Sequence, residues 1–224
     1  MMRVPLRLVI FDCDGVLVDS EALSRTVVVA EAARLGWRLT EAEARRFTGL
    51  RWSDLQVVFE RESGVALPAN WPVHMQNLLI DVLDGQLQAI PGAADVLRAT
   101  AALGLPYRIA SNSSHAEMVA KFADTGLTEL VAGRMHSAKD VGVGKPAPDV
   151  FLAAAAAEQV PPEACLVIED SVPGVTAARA AGMACIAYVP EGDGTELVAL
   201  GARPVRFLTA LPGLFAEAML ERAA

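Results

Sequence analysis

The hydrophobic positions of this chain gather into short unbroken runs, and several of those runs stop at a polar residue. Leu8-Val9-Ile10-Phe11 ends at Asp12, Tyr107-Arg108-Ile109-Ala110 at Ser111, and Leu166-Val167-Ile168 at Glu169-Asp170. Unbroken rather than alternating runs are the pattern of strands covered on both faces. Cys185 to Val189 and Val205 to Leu208 predict two further strands, with a weaker one around Leu130-Val131. Between them lie helical stretches that end at glycine: Ala94 to Leu103 before Gly104, Ala116 to Thr125 before Gly126, Val175 to Ala181 before Gly182. Glycine just past the last turn takes the left-handed conformation that closes a helix. The alternation predicts an α/β fold, a doubly wound, Rossmann-like parallel sheet with helices on both faces. Ligands of such sheets bind beyond the carboxyl ends of the strands, where these polar residues fall.

One stretch breaks the alternation. Ser20 to Leu35 reads as a helix closed by Gly36. Thr40 with Glu43 and Ser53 with Gln56 both have the spacing of capping boxes, and Pro72 to about Leu87 supplies another helix. Ile90-Pro91-Gly92 then returns the chain to the strand pattern. The expected organisation is a catalytic core of residues 1–17 and 89–224 with an all-helical cap, residues 18–88, inserted above the sheet's carboxyl edge. The run Val27-Val28-Val29-Ala30 is expected to pack within that cap rather than form a partner surface.

Composition narrows the function. With 224 residues, 53% of them hydrophobic, the chain can bury a large core. A formal charge of −8 with no basic run argues against nucleic acid, whose binding needs a positive surface to release counterions. Anionic substrates must instead be drawn by a metal ion or a few placed cations. Cys13, Cys165 and Cys185 are odd in number and lie in apolar runs, which suits buried thiols in a reducing cytoplasm. No targeting segment is visible and no run is long enough to span a bilayer, so no membrane partner is expected.

Candidate chemistry begins with Asp12-Cys13-Asp14-Gly15. Residues two apart at a strand end point the same way, so both carboxylates can reach one ligand while Gly15 lets the chain turn. Two such acids repel unless a proton or cation separates them, and magnesium, which prefers carboxylate oxygens, suits the gap. Two solvated turn aspartates have the same spelling. Glu169-Asp170 is a second acidic pair; by itself it also reads as the lead into a capped helix. Ser111 and Asn112 offer hydroxyl and amide donors for an anion, or an ordinary helix cap. Lys145 lies in Gly144-Lys145-Pro146-Ala147-Pro148-Asp149, where two prolines stiffen the loop around what is otherwise a commonplace surface charge. A fixed ammonium among four acids would offset their repulsion and grip a phosphoryl oxygen.

Together these motifs resemble the haloacid dehalogenase superfamily over essentially the whole chain, in the branch of β-phosphoglucomutase-like phosphatases with a small helical cap. Asp12-x-Asp14-Gly15-Val16-Leu17 resembles its nucleophile motif, Ser111 its second, Lys145 its third and Glu169-Asp170 its fourth. The resemblance implies a magnesium-dependent phosphatase acting on a small phosphorylated metabolite such as a sugar phosphate. Asp12 would form an aspartyl-phosphate, and Asp14 would protonate the leaving oxygen and later deprotonate water. Magnesium would sit between an Asp12 oxygen, the Asp14 carbonyl and Asp170, with Glu169 nearby, and Ser111 and Lys145 would take phosphoryl oxygens.

The resemblance also separates chemistries. Dehalogenases do without the second acid, so Asp14 argues for phosphoryl transfer. Mutases carry a histidine in the first cap helix, where Glu21-Ala22-Leu23-Ser24-Arg25 has none, and a lysine shortly after the second-motif serine, where this chain has Ser113-Ser114-His115. Water is therefore the expected acceptor; a sugar-phosphate mutase and a non-catalytic binding member are the alternatives. Thr48-Gly49-Leu50-Arg51 resembles the cap loop that reaches substrate, which makes Gly49 and Arg51 candidate substrate contacts, although Arg51 also reads as an exposed helix-start arginine. His74, His115 and His136 have no metal-ligand spacing, and His115 is a weak candidate for substrate contact.

Overall fold

The computed structural model describes residues 4–47, 50, 52–83 and 85–220. Thr48, Gly49 and Arg51, and with them the expected cap-loop contacts, lie outside the described residues. The chain divides into two compact units, one of residues 1–18 and 89–224, the other of 19–88.

The first unit is built on a six-stranded sheet with every neighbouring pair parallel. In chain order the strands are β1 (Leu8–Phe11), β2 (Val18–Asp19), β3 (Gln88–Ala89), β4 (Tyr107–Ser111), β5 (Met135–Ser137), β6 (Cys165–Glu169), β7 (Ala184–Tyr188) and β8 (Arg203–Val205). The sheet order is β5-β4-β1-β6-β7-β8, while β2 and β3 form a separate two-stranded ladder where the chain passes between the units. Phe11 is level with Ile109 on one side and with Ile168 on the other. The residues that follow, Asp12, Ala110 and Glu169, therefore stand side by side at the carboxyl edge.

Helices α1 (Glu21–Arg34), α2 (Glu41–Ala44), α3 (Trp52–Ser63) and α4 (Trp71–Leu83) belong to the second unit. The sheet unit carries α5 (Ala93–Ala102), α6 (His115–Asp124), α7 (Thr128–Val131), α8 (Ala138–Val141), α9 (Asp149–Ala157), α10 (Val172–Ala180), α11 (Thr195–Ala199) and α12 (Leu211–Leu220). All four residues of β1 are fully buried, as an unbroken apolar run requires. Leu8 and Ile10 pack in one cluster with Val150, Phe151 and Ala154 of α9 and Val175 of α10. Phe11 points the other way, edge-on to Tyr107 of β4 and to Phe215 of α12. Helices thus cover both faces.

Three expectations need correction. Leu130-Val131 lies in α7, and the edge strand runs from Met135 to Ser137 instead. A four-residue apolar stretch suits either element, and packing decides. Ser53 does not cap a helix; it lies inside α3, which starts at Trp52. Thr40 does form a complete capping box with Glu43. The strand expected from Val205 runs from Arg203 to Val205, and Leu208 starts a short 3₁₀ turn. Among the described residues no helix is long and apolar enough to cross a membrane.

The helical unit has a core of its own, in which Val27, Val28, Phe59, Trp71 and Met75 are buried together. The buried Glu31 accepts a hydrogen bond from the Trp71 indole N–H at 2.8 Å and two from Arg34 at 2.7 and 2.9 Å. Glu31→Ala would strand the buried indole donor, a loss of about 1–3 kcal/mol. Arg34→Ala, at a mostly exposed side chain, would cost under about 1 kcal/mol. Thermal melts of the two variants followed by tryptophan fluorescence check the contrast; equal shifts would contradict it.

Candidate active site

The strand ends of β1, β4 and β6 converge on one ammonium. Lys145 is buried, with its Nζ donating to Asp12 Oδ1, to the Ala110 carbonyl at 2.9 Å and to Glu169 Oε1 at 2.7 Å. These are the three residues that the sheet register sets side by side. The Phe151 ring of α9 lies 4.6 Å from Nζ. Upstream, the Lys145 backbone N–H donates to Asn112 Oδ1 at 2.8 Å. Asn112, expected to touch substrate, thus spends its side-chain oxygen on holding the lysine loop.

The three N–H donors of an ammonium are all committed here. A phosphoryl oxygen would have to displace one of these acceptors, so in this arrangement Lys145 holds Asp12 rather than offering a free grip. Burial pulls the lysine toward neutrality, but Asp12 and Glu169 outweigh that and push its pKa above the ordinary value. Asp12 moves in the same direction for a related reason. Burial raises its carboxyl to about 7, helped by Glu169 and Asp14 and opposed by Lys145. One ammonium does not outweigh the cost of burying this carboxylate.

Glu169, expected near the metal, has internal donors on both of its oxygens. Oε1 takes Lys145, and Oε2 accepts from the Asp170 N–H, the Ser171 N–H and the Ser171 hydroxyl, each at 2.9 Å. Its carboxylate fills the space where a side chain at Gly174 would stand, in the first turn of α10. A carboxylate there also complements the positive end of the helix. Among the described residues no three His, Cys, Asp or Glu side chains gather as a metal cluster.

A smaller donor set does fit a hard cation. The Asp170 carboxylate leans over Gly15, so that a Cβ at Gly15 would collide with it, and Gly15 has φ +77°. Only glycine suits both demands. Asp170 is thereby brought against the Asp12–Asp14 turn. Magnesium takes one or two carboxylates and completes its shell with waters and phosphate oxygens. Such an ion would offset the cost of keeping the buried Asp12 ionised.

Asp14 is held by different partners. Lys121 Nζ of α6 donates to Oδ1 at 2.6 Å, Ser113 Oγ to Oδ2 at 3.0 Å, and Ser111 Oγ to Oδ2 at a longer 3.4 Å. Sequence reasoning missed Lys121 and Ser113. The available signal was a lysine on the apolar face of a helix, between Met118 and Phe122, both buried. Burial lowers the Lys121 pKa and Asp14 raises it, with the net effect upward. Cys13, between the two acids, is buried and its thiol is pushed well up, away from the reactive thiolate. His115, at the start of α6, is exposed.

The chain is similar to known proteins over most of its length. A family model described as haloacid dehalogenase-like hydrolase matches residues 6–182. The chain is 29% identical over 209 residues to the 6-phosphogluconate phosphatase of Escherichia coli, covering 92% of this chain and 93% of that one. Among solved structures, a haloacid dehalogenase family hydrolase from Deinococcus radiodurans, holding phosphate and sodium, superposes with a TM-score of 0.84 at 35% identity, over 99% of this chain and all of that one. A haloacid dehalogenase-like protein from Agrobacterium tumefaciens gives the same TM-score and identity over 96% of this chain and all of that one.

The raised Asp12 carboxyl makes a stability prediction. From about pH 4 to about pH 7 the folded state keeps a proton that the unfolded state has released, so metal-free stability falls as pH rises through that window. Asp12→Asn removes the ionisation. The variant should melt higher than wild type near pH 8, and the gap should close toward pH 4. Melting curves in chelator across that range test it; a gap that widens on acidification would refute it.

Proposed function

The chain belongs to the haloacid dehalogenase-like hydrolases, and on that footing we propose that it is a magnesium-dependent phosphatase that hydrolyses small phosphomonoesters through Asp12. The carrying observation is the buried Asp12 carboxylate at the end of the central strand β1, steadied by Lys145, with Asp14 two residues on. The relative named as a 6-phosphogluconate phosphatase, aligned over nearly the full length of both chains, supports a sugar-acid or sugar phosphate as substrate.

In this reading the Asp12 carboxylate attacks phosphorus, and the bond from phosphorus to the leaving oxygen breaks as Asp14 delivers a proton to that oxygen. Water then attacks the aspartyl-phosphate, its proton returns to Asp14, and phosphate leaves with Asp12 regenerated. Splitting one displacement into two lets the same carboxylates act in both halves. Lys145 keeps Asp12 in a single orientation, which removes the entropy of finding it. Ser111, buried at the end of β4, presents a hydroxyl for a phosphoryl oxygen. Magnesium, when bound, would be held by Asp12, the Asp14 carbonyl and Asp170, and would supply charge neutralisation at the phosphoryl group.

The helical unit, residues 19–88, serves in this reading as the cap that selects substrate, with Gly49 and Arg51 as candidate contacts. Ser24 stands where a mutase would carry histidine, which favours water as acceptor.

Phosphate release from a panel of metabolite esters, 6-phosphogluconate included, should require magnesium. Asp12→Asn should lower turnover by at least ~10⁴-fold, the scale seen when a covalent nucleophile is removed. Conversion of a hexose 1-phosphate to its 6-phosphate with a bisphosphate primer, without phosphate release, would overturn the hydrolase reading. Separately, magnesium should raise the melting temperature of wild type more than that of Asp170→Ala; an equal rise would exclude Asp170 as a ligand.

A further inference from the structure

Lys121 is only 6% exposed, in the middle of α6, with two polar partners and apolar neighbours. Lysine is almost never buried without a partner, and a buried ion pair is a weak source of stability compared with an apolar side chain of similar volume. An apolar residue between Met118 and Phe122 would have packed the helix as well. The pairing therefore asks for a reason beyond folding.

The bond pattern supplies one. Lys121 Nζ donates to Asp14 Oδ1 at 2.6 Å and to Ser113 Oγ at 2.8 Å, and Ser113 Oγ spends its single proton on Asp14 Oδ2 at 3.0 Å. Two separate donors, one on each oxygen, fix both the position and the rotation of the carboxylate. The support beneath is itself tied down. Ser137 Oγ donates to the Ser113 carbonyl at 2.7 Å, and the Ser113 N–H donates to Ser111 Oγ at 3.0 Å. Ser111 Oγ lies 3.4 Å from the same Oδ2. The Asp14 side chain remains 31% exposed.

The geometry points to Lys121 as a positioning residue that, with Ser113, aims the Asp14 carboxylate at the oxygen entering or leaving phosphorus beside Ser111. The inference rests on the reading of Asp14 as the proton-transfer group. Lys121 itself touches neither phosphoryl group nor nucleophile. Its contribution is confined to the step in which the leaving oxygen takes a proton as its bond to phosphorus breaks, and to the return of a proton from water.

Leaving-group dependence separates this from a merely structural role. An alkoxide needs a proton to leave, whereas a nitrophenolate departs as the anion. Lys121→Met should lower kcat/KM, which reports the half-reaction that expels the leaving group, by ~10²-fold on β-glycerophosphate, the cost of misplacing a reacting group by about an ångström, and by less than about 3-fold on p-nitrophenyl phosphate. Hydrolysis of the aspartyl-phosphate is common to both esters, so its slowing lowers kcat on both. Lys121→Arg should recover part of the alkyl-ester rate. Ser113→Ala should show the same selectivity at smaller size, and it decides the matter if Lys121→Met does not fold. Equal losses of kcat/KM on both esters, or a gain on β-glycerophosphate, would overturn the inference. Asp14→Asn separates the two levels. If it hydrolyses β-glycerophosphate at the wild-type rate, the reading of Asp14 falls and the inference with it; if it is inactive while Lys121→Met and Ser113→Ala are unselective, only the inference falls.

Discussion

One buried ammonium organises the candidate site. Lys145 reaches Asp12 of the β1 end, the Ala110 carbonyl of β4 and Glu169 of β6, three groups that the parallel register sets at one level. A lysine in that place is costly to desolvate, and its three donors must all be satisfied. Each neighbour contributes to that end. Phe151 lies under the ammonium, Asn112 holds the backbone of the loop that carries it, and the first turn of α10 anchors the other oxygen of Glu169. A slip of one residue in either strand pairing would take an acceptor away. The sheet register and the chemistry are therefore one constraint.

Two lysines also resolve the conflict among the acids. Carboxylates two residues apart at a strand end repel each other, and here each has its own cation. Lys145 takes Asp12 together with Glu169, while Lys121 takes Asp14. The division keeps the two aspartates apart in orientation, and so suits them to different tasks, one poised for attack and the other for moving protons. Burial still raises the Asp12 carboxyl, with Glu169 and Asp14 adding to it against Lys145. Asp170, folded over Gly15, stands where it can share a cation with Asp12.

Much of the fold was legible because buried parallel strands and glycine-closed helices are local patterns. Leu8 to Phe11, Tyr107 to Ser111 and Cys165 to Glu169 form strands where the apolar runs fall, and Gly104, Gly126 and Gly182 have the positive φ expected of helix ends. Leu130-Val131 was misread because four apolar-rich residues fit a helix as well as a strand, and only the packing of α7 decides. Ser53 was misread because a capping box is a spacing of residue types that also occurs inside helices. Asp12, Asp14 and Lys145 were found because each ends or brackets a local element. Lys121 was not, because a lysine in a helix reads as a solvated charge until its partner, more than a hundred positions away in the chain, is known.

The sequence by itself determined the α/β architecture, the family, which acids stand at strand ends and which lysine its proline-bracketed loop carries, since all of these follow from short-range patterning and motif order. Only the tertiary structure decided how those groups divide among themselves. It turned Glu169 inward onto Lys145 and α10, gave Asn112 to the lysine loop and brought Lys121 to Asp14. The reason is physical: hydrogen-bond partners and local charge balance depend on distances across strands and helices, and those distances exist only once the sheet has set its register.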